Sequence, residues 1–173
     1  VGSEMCIRDS SMSLINFIME NENAYWCMNR VSISGSEEDI KKITKLVSTK
    51  DSALSFNNII PAPNWKKIPN EKGELPVKEE IKNKEGVVIM TTNNFPDGKN
   101  DDRWYSWQCE NWGTKWDACS VEVVSEGTDY IEYEFETAWS PPQPIIDKLR
   151  EDFPDVSISA FYDEPGMQIA GYY

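Results

Sequence analysis

Glu110 and Asp117 bracket Lys115 in a stretch that also holds Trp104, Trp107, Trp112 and Trp116, four of the chain's seven tryptophans. Paired carboxylates can move protons as general acid and base, or hold a hard cation through their oxygens. With no histidine in the chain, magnesium or calcium is the metal such a pair suits. The plainer use of the same carboxylates is to accept loop N–H groups, or to pair with Lys115 and Arg103. The tryptophans pose a parallel choice. Each offers a large apolar surface with one N–H donor, so the cluster either closes a core or presents rings to a peptide, a sugar or a nucleobase. The candidate contact surface comprises Trp104, Trp107, Trp112, Trp116 and Trp139. Glu110, Lys115 and Asp117 supply its polar groups.

A second group sits downstream. Glu132, Glu134 and Glu136 alternate with Ile131, Tyr133, Phe135 and Thr137, which puts the carboxylates on one face of a strand and the apolar groups on the other. Such a row is a solvated face, a docking surface for a basic partner, or a mimic of phosphates. An RNA-binding sheet places aromatic and basic residues on its open strands, and glutamates stand there instead.

Composition narrows the chemistry further. Seventeen basic against thirty acidic residues give a net charge of −13, which repels phosphate backbones and anionic lipid, so direct nucleic-acid or membrane binding is not expected. The absence of histidine excludes Ser-His-Asp and Cys-His mechanisms. Cys6, Cys27, Cys109 and Cys119 show no CxxC spacing and read as reduced thiols of a cytoplasmic protein, with a Cys109–Cys119 bond left open. No apolar run approaches the roughly 20 residues that span a bilayer.

These groups must be positioned by a scaffold, which periodicity outlines. Residues 29–34 alternate as a strand, and Ser36-Glu-Glu-Asp39 opens a helix over about 37–48 with Ile40, Ile43 and Val47 inward. Ser52–Phe56 reads as a short strand. Residues 64–103 are polar and punctuated by proline, an insertion with helical spacing at Val77–Asn83 and one apolar run, Val87–Met90. A hairpin follows over 118–125 and 130–139. Ser140 is expected to cap a second helix with Pro141 in its first turn and Ile145, Ile146, Leu149 and Phe153 along one stripe. A strand at 156–160 and a final extended segment complete the chain. The order β-α-β, insertion, β-β-α-β predicts an α+β, ferredoxin-like (split βαβ) antiparallel sheet with two helices on one face. The tryptophan segment is then expected to cover the helix-free face.

At the start, Val1-Gly-Ser-Glu-Met-Cys-Ile-Arg-Asp-Ser10 reads as adapter-derived sequence, so residues 1–18 form a leader outside the domain and native translation is expected at Met12 or Met19. Residues 19–173 read as a single domain, truncated at its C-terminus.

Five blocks resemble one family: Trp26-Cys-Met-Asn-Arg-Val-Ser-Ile-Ser-Gly35, Phe56-Asn-Asn-Ile-Ile-Pro-Ala-Pro63, Glu110-Asn-Trp-Gly-Thr-Lys-Trp-Asp117, Thr137-Ala-Trp-Ser-Pro-Pro142 and Glu164-Pro-Gly-Met167. They look like the YubB-type ferredoxin-like proteins carried on phages and plasmids. The resemblance implies a ferredoxin-like fold and a mobile-element origin, and it carries over no catalytic residue, cofactor or metal. The resulting expectation is a non-enzymatic binding module whose partner is a host or phage protein. Two alternatives stand beside it: a metal-dependent hydrolase or nucleotide-processing enzyme using Glu110 and Asp117, and an acidic nucleic-acid mimic.

Overall fold

The structure, a computed structural model, describes residues 25–173. The expected leader and the two candidate starts lie outside the described residues.

Strand β1 (Trp26–Ser34) begins earlier than its serine-valine alternation predicts and buries Cys27, Asn29, Val31 and Ile33 on one side. Helix α1 (Glu37–Val47) starts where the capping pattern places it. The Ser36 hydroxyl accepts the Asp39 N–H at 3.1 Å and donates to the Asp39 carboxylate at 2.6 Å. Acidic groups fill the helix's first turn and Lys45 its last, each favoured by the helix dipole. Ile40, Ile43 and Val47 face inward, as their spacing requires.

The strand expected at Ser52–Phe56 is not there. Helix α2 (Phe56–Ile59) begins instead at the end of that segment. The helical spacing at Val77–Asn83 also misleads, because β2 (Val77–Lys82) pairs antiparallel with β3 (Val88–Asn94) as a separate two-stranded sheet. Its root is fixed by Arg103, the first residue of α3 (Arg103–Asn111). The guanidinium meets the Asp101 carboxylate at 2.7 Å and the carbonyls of Ile68 and Pro69 at 2.9 and 3.0 Å. It also lies 5.2 and 5.1 Å from the ring centres of Trp65 and Phe95.

The expected hairpin forms as β4 (Cys119–Glu126) and β5 (Tyr130–Ala138). Helix α4 (Gln143–Asp152) buries Ile145, Ile146 and Leu149. It starts later than predicted: Pro142 occupies the cap position, while the Ser140 hydroxyl donates to the Gly113 carbonyl at 2.6 Å. Strands β6 (Ser157–Glu164) and β7 (Ile169–Tyr172) end the sheet.

The sheet order is β4-β5-β1-β6-β7, antiparallel throughout. Its first four strands with α1 and α4 form the ferredoxin-like arrangement, and β7 extends one edge. The second strand of that arrangement is β4, so the inserted chain falls between α1 and the sheet's second strand, not after a completed β-α-β unit. Both helices contribute to one core with Val31, Ile33, Ile131, Tyr133, Phe135, Ile158 and Ala160. Behind β1, Asn29 is buried and fully engaged: its amide donates to the Cys27 carbonyl at 3.0 Å and the Thr137 hydroxyl at 2.9 Å, and its oxygen accepts from the Tyr173 hydroxyl at 3.0 Å. Burial pushes the Cys27 thiol up to about 11 and raises the Tyr173 phenol well above its ordinary value. Among the described residues no helix is long and apolar enough to cross a membrane.

Candidate functional site

Asp117 is committed to holding the chain together. Its carboxylate accepts the Ser55 hydroxyl at 2.7 Å, the Phe56 N–H at 2.6 Å and the Ala118 N–H at 2.8 Å. It therefore caps α2 from across the sequence, supplying the acceptor that Ser55's side chain does not. Glu110 is exposed on α3. Among the described residues no group of three or more cysteine, aspartate or glutamate side chains is gathered so as to hold a metal. Arg103 pairs with Asp101 and not with Asp117.

The tryptophans divide between two places. Trp112 lies in the core, edge-on to Phe56 and to Trp107 at 6.1 and 5.9 Å between ring centres. Its indole N–H donates to the Ile60 carbonyl at 2.9 Å. Gly113 follows in the left-handed region at φ 80°, and a Cβ there would stand 2.8 Å from Pro144 Cδ, so the turn admits only glycine. Trp116, five residues into the loop, is buried against Trp26 with ring centres 6.0 Å apart. The Lys115 ammonium sits over the Trp116 ring at 4.3 Å and near the Trp139 ring at 5.4 Å, a cation–π arrangement. Trp139 itself has φ 69°, an uncommon conformation for a tryptophan. Its ring meets Tyr105, which in turn meets Trp104.

This distribution corrects the expectation of a lid. Trp112 packs on the helix side of the sheet, and among the described residues nothing covers the helix-free face along most of its length. Met28, Arg30, Phe161 and Tyr172 all stand exposed on it. Trp26 shares their side of β1 by alternation, so the Trp26–Trp116 pair borders that face at one end.

Strand register lines up a row across the open face. Glu122 of β4 stands opposite Glu134 of β5, Glu134 opposite Arg30 of β1, Arg30 opposite Phe161 of β6, and Phe161 opposite Tyr172 of β7. Arg30 Nε donates to Glu134 at 2.7 Å and lies 3.3 Å from a Glu132 oxygen. That hydrogen bond raises the arginine's already high pKa. The acidic row is thus partly neutralised at Glu132 and Glu134, whereas Glu136 stands opposite Met28. Glu122 facing Glu134 remains a like-charge pair, unfavourable in the isolated protein. On the other side of Arg30, Phe161 and Tyr172 meet edge-on at 5.2 Å. With Ser32 and Ser159 these groups enclose a shallow concavity of about 250 Å³. A larger groove of about 610 Å³ runs between α1 and the β4–β5 turn, but its walls mix Glu37, Lys41, Lys45 and Glu126, with Lys41 already paired to Glu37.

Arg30, Phe161 and Tyr172 carry no signal as isolated residues. The clue available in sequence is parity: Trp26, Met28 and Arg30 alternate with the buried residues of β1.

Residues 111–173 match a family model described as a ferredoxin-like domain in Api92-like protein. That segment holds the Trp112–Trp116 loop and β4 through β7, and leaves β1 and α1 outside. No curated protein and no solved structure matches the chain. From Asn111 onward the chain is similar to the ferredoxin-like domain of Api92-like proteins.

Proposed function

We propose that this protein is a non-enzymatic binding module of a phage or plasmid, acting in the cytoplasm, whose contact surface is the helix-free sheet face. The observation that carries the reading is the row Glu122–Glu134–Arg30–Phe161–Tyr172, uncovered among the described residues, with exposed aromatic rings at one end and carboxylates in excess of cations at the other. A host or phage protein with a basic and partly apolar segment suits it. Lysine or arginine side chains relieve the Glu122–Glu134 repulsion, and apolar groups cover Phe161, Tyr172 and Met28. The Trp26–Trp116 border and Lys115 add an aromatic rim. Phosphate mimicry is less well supported, because Arg30 interrupts the carboxylate row. The hydrolase reading is less well supported too, because Asp117 spends its oxygens on α2.

The test is a titration with a lysine- and arginine-rich peptide and with an acidic peptide of equal length, at low and at physiological salt. The basic peptide is expected to bind, more weakly as salt rises. A Glu132→Gln, Glu134→Gln, Glu136→Gln variant is expected to lose most of that affinity. Equal binding of the acidic peptide, or undiminished binding by the variant, refutes the proposal.

A further inference from the structure

The β2–β3 hairpin raises a question that the sheet face does not answer. It is a two-stranded sheet on its own, an arrangement only marginally stable in water. All of β2 is exposed, and among the described residues it pairs with β3 alone. Val77, Ile81 and Met90 present apolar side chains to solvent at 59, 45 and 44 % exposure. A free edge of this length, without proline or glycine inside it, is a template for another strand.

We propose that the added strand is β2 of another copy of this chain, paired antiparallel about a two-fold axis at Glu79. The sequence Val77-Lys-Glu-Glu-Ile81 matches itself in that register. Val77 of one copy falls opposite Ile81 of the other, and Lys78 opposite Glu80, each pair occurring twice by symmetry. Directly opposed residues share a face, so the apolar pairs join Met90, which stands opposite Ile81 within each hairpin. The group on the axis is already turned aside: the Glu79 carboxylate accepts the Asn94 amide at 2.7 Å, toward β3 and away from the free edge. In the single chain Lys78 reaches Glu80 only along its own strand, at a loose 3.7 Å with both side chains half exposed. Neighbouring registers lose the match. Moving the axis to Glu80 opposes Lys78 with Lys82, and moving it to Lys78 brings the two copies of that lysine together and sets Val77 against Glu79.

Sedimentation velocity of the full chain, from micromolar to millimolar concentration, tests the pairing. A monomer–dimer equilibrium is expected, and Lys78→Glu or Glu80→Lys alone should weaken it by about tenfold or more, since each acts twice in the dimer. The double variant Lys78→Glu, Glu80→Lys restores the match and should return the affinity to within about threefold of the parent. All the substituted side chains are exposed, so unchanged denaturation midpoints will verify that the fold is intact. A monomer at every concentration overturns the proposal. So does a dimer indifferent to the single substitutions, which would place the contact elsewhere, or a double variant that fails to recover.

Discussion

Asp117 accepts the backbone N–H of Phe56 at 2.6 Å across a separation of 61 residues. A carboxylate flanked by tryptophans, which in isolation suggests a reactive group, is here the acceptor that starts a four-residue helix and ties the inserted chain to the edge of the sheet. Losing it strands the Ser55 hydroxyl and the N–H groups of Phe56 and Ala118 in partly buried surroundings.

Asp117→Ala is therefore expected to lower stability by about 1–3 kcal/mol, the range for orphaned, partly buried donors. Glu110→Ala, on an exposed helix position, should stay within about 0.5 kcal/mol of the parent. Urea denaturation followed by circular dichroism distinguishes them. Equal effects at both positions would contradict the division of roles.

The Arg103–Asp101 pair should leave its mark on acid stability. The hydrogen bond from Arg103 holds the Asp101 carboxyl below its ordinary value. A depressed folded value means that the unfolded chain binds the proton more readily. The stabilisation is thus complete above the unfolded value, about 4, and is lost as pH falls through the lower folded one. Arg103→Gln removes the partner of a carboxylate whose side chain is 2 % exposed. The variant should be less stable at neutral pH, with the gap from the parent closing as Asp101 protonates. Denaturation midpoints between pH 2 and 7 measure this, and a gap independent of pH would exclude the pair as its cause.

Among the described residues Cys27 and Cys109 are the free cysteines, and they should differ sharply toward thiol reagents. Cys27 is buried with its thiol raised to about 11, so roughly one molecule in a thousand carries the thiolate at pH 8. Cys109 is free and only partly buried, on α3. Site-resolved mass spectrometry after alkylation should find Cys109 modified first and Cys27 modified only with unfolding. Comparable rates in native buffer would show that the β1 side of the core opens readily.

The elements whose side chains alternate between core and solvent were legible in the sequence: α1, β5, the stripe of α4 and β6 each carry one apolar face. The misread segments lack that contrast. Val77–Lys82 is exposed on both sides, so burial imposes no period on it and a chance helical spacing prevails. Ser52–Phe56 fails for another reason, because the acceptor that turns Phe56 into a helix start is Asp117, invisible to any local window. The site was legible only in part. The alternation of Glu132, Glu134 and Glu136 announced a carboxylate face, but Arg30, Phe161 and Tyr172 join it only once β1 lies between β5 and β6. For the tryptophans, the side of the sheet on which Trp112 lands depends on packing against Phe56.

The position of β1 has a consequence for how the chain comes into being. It is the first strand of the sheet to leave the ribosome and the central one in the finished order, flanked by β5 and β6 near the other end of the sequence. The bond from Asn29 to Thr137 spans 108 residues. Until β5 and β6 have been synthesised, β1 has two unpaired edges and an apolar face that only α1, α2 and Trp112 are there to cover. The sheet closes late, and closing so long a loop makes that step slow. During that interval the nascent chain is the species most exposed to aggregation and most in need of a chaperone.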